Sequence, residues 1–371
     1  MSVPLLDLRA QHATIREDVV SALMQVVDDQ AFILGSVVER LESAVAELSN
    51  SRCAIGCANG TDALLLSLRA LGVGNGDEVV TTPFTFFATA GAIHNVGARP
   101  VFADIDPKTF NISPEAAAAA VTGKTKAVIP VDLFGQVAAI ESIAAMLPGM
   151  PVIEDAAQSI GATRNIDGRT VRAGEAATIG TFSFFPSKNL GGYGDGGMMV
   201  TQDEDLAARL KRLRVHGGMK TYYHEEVGYN SRLDALQAAV LEAKLPYLEN
   251  WSTARRTNAE YYNAAFEDVA EVSTPFIESS NVSIYNQYTI RASRRDELQD
   301  YLKQHGIGCS VYYPLPLHLQ PCFAYLGYGE GDFPESERAA REVISLPVYP
   351  ELTKTQLDEV IGAVRKFYGK R

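Results

Sequence analysis

The chain has 371 residues, 46% of them hydrophobic and 21% charged, which excludes a disordered chain and allows a large domain followed by a smaller one. The net charge of -12 argues against a nucleic acid as the main partner, although a local basic pocket could still bind one phosphorylated ligand. No apolar run suits a signal peptide or spans a bilayer, so we expect a cytoplasmic protein without a membrane partner.

The first part of the chain alternates helical and strand patterns. Apolar spacing predicts two opening helices, one around residues 15–26 and one from Ser36, which forms a capping-box signal with Glu39. Strands are predicted at residues 53–57, 78–81, 101–103, 127–131 and 152–153. Helices between them are predicted at residues 63–71, 88–96, 114–121 and 140–147. This alternation predicts a mostly parallel sheet with helices on both faces.

The second part begins with two strand signals, at residues 178–182 and 198–201, on either side of a loop that contains Lys188 and several glycines. Helices are then predicted at residues 204–214, 234–248, 251–266, 294–305 and 334–343, with a strand at 288–291. We expect a large domain over residues 1–249 and a smaller C-terminal α+β domain over residues 250–371.

Residues 58–63 lie between a predicted strand and a predicted helix. Backbone N–H groups at a helix start form a natural seat for a phosphate, where Gly60 permits close approach and Thr61 adds a hydroxyl. Taken alone, the segment is also explained as an ordinary capped helix. It is a candidate phosphate site that needs support from other residues.

Asp155 follows the predicted strand at residues 152–153, and ligands of open α/β sheets collect at the carboxyl ends of strands. A buried carboxylate there can keep a pyridine nitrogen protonated, as an electron-withdrawing cofactor requires. Glu154 is adjacent but should face the opposite way on a strand. In isolation, Asp155 is equally explained as the cap of the next helix.

Lys188 follows the predicted strand at residues 178–182, in an aromatic stretch that contains Ser183. A lysine in apolar surroundings loses hydration as a cation, so its neutral amine can attack an aldehyde. A single lysine near glycines is usually a solvated loop residue. The order of phosphate seat, acid and lysine along the chain favours the catalytic interpretation.

These motifs resemble the DegT/StrS-type nucleotide-sugar aminotransferases, which belong to the fold-type I enzymes that use pyridoxal 5'-phosphate (PLP). The resemblance covers essentially the whole chain, with specific motifs at residues 4–8, 59–64, 154–158, 183–188 and 228–234. It implies the fold-type I architecture: an α/β large domain with a mostly parallel, seven-stranded mixed sheet between helices, and a smaller C-terminal domain.

The resemblance also implies roles for single residues. Lys188 would bind the cofactor covalently, Asp155 would face its ring nitrogen, and Gln158 would contact its ring hydroxyl. The phosphate would be bound by Gly60, Thr61 and Ser183. An aromatic ring stacked on the cofactor would come from Phe86, with Phe87 as the nearest competitor. Asn230 matches a residue that family members lend to the partner's phosphate, so each site of a homodimer would need two chains.

The substrate side is implied less specifically. Residues 312–318 resemble a family segment near the sugar nucleotide, and residues 214–217 resemble a loop at the cleft mouth. Tyr313, His318 and His216 are the candidate substrate contacts, although such residues often have purely structural roles. The four cysteines form no C-x-x-C pair, so no metal site is expected.

The implied reaction moves an amino group from glutamate to a keto group of a nucleotide-linked sugar, with pyridoxamine phosphate as the intermediate form of the cofactor. The motifs look most like aminotransferases of UDP-linked 2-acetamido-3-keto-glucuronate. Enzymes of dTDP-linked 3-keto-6-deoxyhexoses are the main alternative. A PLP-dependent sugar dehydratase would have histidine in place of Lys188, and a nicotinamide oxidoreductase would need a glycine fingerprint that is missing here. A non-catalytic sensor of PLP or sugar nucleotides is disfavoured, because simple binding needs neither Lys188 nor Asp155.

Overall fold

The computed structural model describes residues 2–370. The helices, in chain order, are α1 (Leu8–Asp29), α2 (Ser36–Leu48), α3 (Gly60–Ala70), α4 (Phe87–Asn95), α5 (Pro114–Ala120), α6 (Ile140–Met146), α7 (Glu204–Leu213), α8 (Ala235–Lys244), α9 (Leu248–Phe266), α10 (Arg295–Gln304), α11 (Pro334–Glu342) and α12 (Lys354–Phe367). The strands are β1 (Cys53–Cys57), β2 (Glu78–Thr81), β3 (Arg99–Phe102), β4 (Thr125–Ile129), β5 (Ile153–Asp155), β6 (Thr163–Ile166), β7 (Arg169–Arg172), β8 (Ile179–Ser183), β9 (Gly197–Thr201), β10 (Val272–Ser273), β11 (Asn281–Val282), β12 (Tyr288–Ala292) and β13 (Val343–Leu346). Among these helices, none is both long enough and apolar enough to cross a membrane.

The large sheet has the strand order β1-β9-β8-β5-β4-β2-β3. β9 is antiparallel to both of its neighbours, whereas β8, β5, β4, β2 and β3 run parallel to one another. β4 and β5 are joined by the parallel bridges Val128–Val152 and Val131–Asp155. The mostly parallel, seven-stranded mixed sheet is thus confirmed within residues 2–370.

Helices cover both faces of this sheet, so side chains on both faces are buried. Successive residues of a strand point to opposite faces. On β9, Met198 and Val200 join one hydrophobic cluster with α2 and α8, while Met199 joins another with α3 and α7. Burial on both faces explains why these strands appear in the sequence as continuous apolar runs. The carboxyl ends of the parallel strands are left at one edge of the sheet.

A second sheet lies in the C-terminal part, where β12 pairs antiparallel with β10 and β13. α9, α10 and α12 pack on it around a core that includes Tyr262 and Tyr288. Val3 belongs to the same core and forms a bridge with Ile307, so the first described residues pack with the last third of the chain. The domain limit between residues 249 and 250 stays a prediction, and α9 begins beside it.

Departures from the predicted elements have local causes. The helix predicted at residues 234–248 is interrupted, since α8 ends before Pro246 and a short 3-10 turn follows; proline lacks the N–H that would continue the helix. Ser36 is the first helical residue of α2, so Gly35 and not Ser36 occupies the cap position. β6, β7 and β11 form a small antiparallel sheet whose mostly polar, exposed residues give no apolar pattern.

Candidate active site

The polar residues at the carboxyl edge of the large sheet come from several strands. β5 ends at Asp155, β8 ends at Ser183, and the loop after β8 carries Lys188. α3 starts at Gly60, directly after β1. Since β1, β5 and β8 point the same way, their carboxyl ends share this edge, where α/β proteins bind ligands.

Asp155 is 5% exposed, and two donors hold its carboxylate. The Thr89 hydroxyl donates to Oδ2 over 2.8 Å, and the Ala157 amide donates to Oδ1 over 3.3 Å. Burial raises the pKa of Asp155, whereas the Thr89 hydrogen bond and the nearby Lys188 ammonium favour the ionised form. A desolvated carboxylate of this kind can hold a proton on a bound heterocycle.

Lys188 is half-buried, and desolvation lowers its pKa to about 8 while the Asp155 carboxylate acts in the opposite direction. The two groups affect each other's pKa, so they lie in the same site. The loop is fixed next to the lysine, where the buried Asn189 side chain donates to the Ile284 carbonyl over 3.0 Å. An amine with this pKa is partly neutral near neutral pH and can act as a nucleophile.

Gly60 and Ser183 lie against each other at the start of α3. A Cβ added to Gly60 would lie 2.7 Å from the Ser183 Cβ, a separation that side chains do not tolerate. Asn59 caps the helix by accepting from the Asp62 amide over 2.8 Å. The first N–H groups of a helix have no partner inside it. The amides of Gly60 and Thr61 and the Ser183 hydroxyl therefore form a group of hydrogen-bond donors, called the cradle below.

Asn230 and His216 are exposed residues on two paired segments beside this cradle. The Ser231 hydroxyl donates to Asp62 Oδ2 over 2.7 Å, which fixes one segment to the start of α3. Val215 and Asn230 form an antiparallel bridge, which joins the second segment to the first. Both predicted residues therefore lie at the surface next to the cradle, where a ligand or a second chain can reach them.

Phe86 and Phe87 differ in their surroundings. Phe87 stacks on Phe323, with ring centroids 5.6 Å apart. Phe86 is 58% exposed and meets only the tilted ring of Tyr313 among the described ring contacts, at 6.3 Å. Of the two candidates, Phe86 has the free aromatic face that a flat ligand requires.

Gln158 and Tyr313 contact each other across the site. Gln158 Oε1 accepts from the Phe134 amide over 2.6 Å, and its Nε2 donates to the Tyr313 hydroxyl over 3.3 Å. Burial raises the pKa of Tyr313, so its phenol stays protonated. Tyr313 therefore joins the predicted cofactor residues by direct contact.

His318 does not line the site. Its side chain is 0% exposed and its Nε2 lies 3.2 Å from Glu337 Oε1. Burial lowers the pKa of His318 despite that carboxylate. Glu337 also accepts from the Gly331 amide over 2.8 Å, so the pair fixes the chain around residue 331. The enclosed imidazole favours a structural role for His318, and the substrate contact stays a prediction.

Thr89 and Ser231 also belong to the site, but no sequence motif predicts their side-chain hydrogen bonds. Thr89 lies 66 residues from Asp155 in the chain, and no local spacing signals that bond. Ser231 reaches Asp62 over 169 residues. The one available signal is position, since both residues are neighbours of motif residues, Thr89 near Phe86 and Ser231 next to Asn230.

Comparison with known proteins gives matches along nearly the whole chain. A pleiotropic regulatory protein of Geobacillus stearothermophilus is 52% identical over 372 residues and covers 99% of each chain. UDP-N-acetyl-3-dehydro-alpha-D-glucosamine 3-aminotransferase of Acidithiobacillus ferrooxidans is 42% identical, covering 98% of each. UDP-2-acetamido-2-deoxy-3-oxo-D-glucuronate aminotransferase of Pseudomonas aeruginosa is also 42% identical, covering 98% of this chain and 99% of its own.

The structure of DesV from S. venezuelae in complex with a ketimine intermediate superposes with a TM-score of 0.96 at 37% identity, covering 100% of this chain and 99% of DesV. This agreement confirms the predicted fold. The model of the DegT/DnrJ/EryC1/StrS aminotransferase family matches residues 13–365. Because that match spans all three described sheets and every residue of the candidate site, the chain belongs to the DegT/DnrJ/EryC1/StrS aminotransferase family.

Proposed function

We propose that the protein is a PLP-dependent aminotransferase that moves an amino group from glutamate to the keto group of a nucleotide-linked sugar. The observation that carries the proposal is the meeting of Lys188 and Asp155 at one edge of the sheet, where each changes the other's pKa. The proposed sugar is a UDP-linked 2-acetamido-3-keto-hexuronate. The relatives from A. ferrooxidans and P. aeruginosa are both named for UDP-linked 3-dehydro or 3-oxo sugars, and the P. aeruginosa relative is named for a glucuronate.

The residues present fit the cofactor. Glycine at position 60 leaves open the space beside the Ser183 hydroxyl that a Cβ would take, and Thr61 and the amides of the α3 start complete a phosphate seat. Phe86 offers its exposed ring as a stacking face. Asp155 would hold the ring nitrogen, and Gln158 would share its amide between the Tyr313 hydroxyl and the ring hydroxyl.

Pyridoxal phosphate supplies an aldehyde that captures amines and a protonated ring that withdraws electrons from them. Lys188 would bind the aldehyde and, as a free amine, would move a proton to and from the substrate carbon. Its pKa of about 8 suits both tasks, because the amine can accept a proton and return it near neutral pH. Asp155 keeps the opposite end of the site negative.

The active site is proposed to be shared between the two chains of a homodimer. Asn230 is exposed beside the phosphate seat, so its side chain can reach a second subunit. Exposed apolar patches mark interfaces, and one such surface is offered on and just after α1 by Val20, Met24, Val27, Phe32 and Ile33.

A second candidate is a regulatory protein that binds PLP or a sugar nucleotide without turnover, which the name of the G. stearothermophilus relative favours. The desolvated amine of Lys188 argues for catalysis, because binding alone does not require a nucleophile.

The test is a single-turnover assay of the pyridoxamine-phosphate form with a panel of keto-sugar nucleotides. The UDP-linked 2-acetamido-3-keto-hexuronate should restore the aldehyde absorption fastest. Faster recovery with a dTDP-linked 3-keto-6-deoxyhexose would reassign the sugar while leaving the aminotransferase intact. Failure of every keto sugar, in a protein that binds the cofactor, would contradict the proposed function in favour of the regulatory one.

A further inference from the structure

Two buried threonines of the segment that carries Phe86 lead to the Asp155 carboxylate. Thr85 is 2% exposed and Thr89 is 0% exposed. Their hydroxyl oxygens lie 3.1 Å apart, and the Thr89 hydroxyl donates to Asp155 Oδ2 over 2.8 Å.

The number of protons fixes the direction of these bonds. Thr89 has one hydroxyl proton, and the carboxylate can only accept, so that proton lies between Thr89 and Asp155. Thr85 must then donate to Thr89. The result is an ordered chain from Thr85 through Thr89 to Asp155, in which each hydroxyl strengthens the next by polarising it.

This arrangement differs from the usual behaviour of hydroxyls on helices. Ser67 in α3 donates to the Ala63 carbonyl of its own helix over 2.7 Å, and Thr257 in α9 donates to the Thr253 carbonyl over 3.1 Å. Thr89 is the third residue of α4, so the residue four positions before it, Thr85, lies outside the helix, and the Thr89 hydroxyl bonds to Asp155 at the end of β5. One short segment thus presents an aromatic face, through Phe86, and a donor to the acid.

Resting on the proposed function, we propose that Thr89, supported by Thr85, is a positioning residue that holds Asp155 ionised and aimed at the cofactor's ring nitrogen. A hydrogen bond to the charged form of an acid favours that form. Among the described residues, the other donor to the Asp155 carboxylate is the Ala157 amide, at the longer distance of 3.3 Å. Without Thr89, the buried carboxylate would lose its shorter bond. The interaction with a protonated ring nitrogen would then weaken.

The test measures the dissociation constant of pyridoxamine phosphate in a Lys188→Ala background, where binding is noncovalent. Adding Thr89→Val should weaken binding by about tenfold, because a hydrogen bond to a charged group is lost. Thr89→Ser should restore it, and Thr85→Val should have a smaller effect of the same sign. Thr81→Val is the control, since Thr81 is also 0% exposed but donates to the Ile129 carbonyl over 2.8 Å.

A cofactor analogue with carbon in place of the ring nitrogen separates this role from a merely structural one. Thr89→Val should leave the affinity for that analogue unchanged, because no protonated nitrogen faces Asp155. Equal loss for both ligands, or no loss for either, would overturn the proposal. If Thr89→Val does not fold, the affinities of Thr85→Val for pyridoxamine phosphate and for the analogue are compared in the same way, and they decide whether the proposal holds. A parent protein that binds no pyridoxamine phosphate at all would instead contradict the proposed function, and this inference with it.

Discussion

Glu154 and Asp155 are neighbours on β5, yet different groups surround their carboxylates. Strand alternation directs them to different faces of the sheet. Asp155 accepts from Thr89 and lies near Lys188, whereas Glu154 lies near the Asp132 carboxylate. Burial first, and then the Asp132 charge, raises the pKa of Glu154 well above its ordinary value of 4.5. Its surroundings therefore favour the protonated form of Glu154.

Glu154→Gln should make the free energy of unfolding less dependent on pH. The folded chain holds the Glu154 proton above the ordinary pKa of 4.5, so wild-type stability falls as pH rises from there through the raised folded pKa. Glutamine cannot ionise, so the variant should gain on the wild type over that range. Urea unfolding across a pH series checks this, with the exposed Glu330→Gln as control. A stability difference that is constant with pH would contradict it.

Lys188→Ala should abolish covalent binding of the cofactor and lower turnover by at least about a thousandfold. Lys244 is the matched control, because burial lowers its pKa to about 8 as well, but its ammonium donates to the Gly191 carbonyl over 2.6 Å. Borohydride reduction followed by mass mapping should label residue 188 in the wild type and in Lys244→Ala. Label on residue 244, or normal turnover of Lys188→Ala, would refute the assignment.

At the scale of elements, Gly60→Ala tests the contact between α3 and β8. A Cβ at this position would lie 2.7 Å from the Ser183 Cβ, so overpacking should destabilise the protein by about 1–3 kcal/mol and weaken cofactor binding. Gly362→Ala in α12 is the control, since nothing lies within 4 Å of its added Cβ. That change should stabilise by about 0.5–1 kcal/mol. Thermal unfolding and PLP titration measure both effects, and a neutral Gly60→Ala would contradict the close contact.

The elements that could be predicted from the sequence are those whose buried side chains produce an apolar run or a helical apolar pattern. Apolar runs predicted β1 and β2 at their observed limits, and helix patterns predicted α3 and α4 within a few residues. β6 and β7 could not be predicted from the sequence because their residues, among them Arg164 and Arg172, are mostly polar. The sequence predicts a helix to residue 343, whereas α11 ends at Glu342 and Val343 begins β13, since pairing with β12 overrides local preference there.

The site likewise contains residues whose location could be predicted from the sequence and residues whose location could not. Lys188, Asp155 and Gly60 follow predicted strands, so the topology itself brings them to one edge. The enclosure of His318 by Glu337 depends on how distant segments pack, and no spacing in the sequence shows it. The roles of the cofactor and substrate residues stay predictions, whereas the family, the fold and the aminotransferase activity predicted from the motifs are confirmed.

At the scale of the whole molecule, the shared site makes cofactor retention depend on assembly. Asn230 is exposed, so removing its amide should leave the fold of its own chain intact. If the Asn230 side chain contacts the partner's cofactor phosphate, a chain that lacks this amide removes a phosphate contact from the site of the other subunit. Asn230→Ala should then weaken PLP binding by about tenfold, and dilution to monomers should do the same to the wild type.

Mixing the two variants at limiting PLP, where Asn230→Ala retains little cofactor, tests the sharing directly. In a hybrid of Lys188→Ala and Asn230→Ala chains, one site has both Lys188 and Asn230, so an equimolar mixture should recover activity in about a quarter of the sites at limiting PLP. Exchange of subunits is measured separately, by capturing hybrids of two differently tagged chains. No recovery despite exchange would place Asn230 in the site of its own chain.

The central claim is that Lys188 and Asp155 flank one PLP molecule that exchanges amino groups. A visible absorption scan of the protein incubated with PLP, before and after glutamate, tests it most directly. We predict a yellow band that glutamate bleaches in the wild type, no covalent-cofactor band in Lys188→Ala, and a band that bleaches far more slowly in Asp155→Asn. A protein that stays colourless with PLP, or a band that glutamate leaves unchanged, would contradict the account.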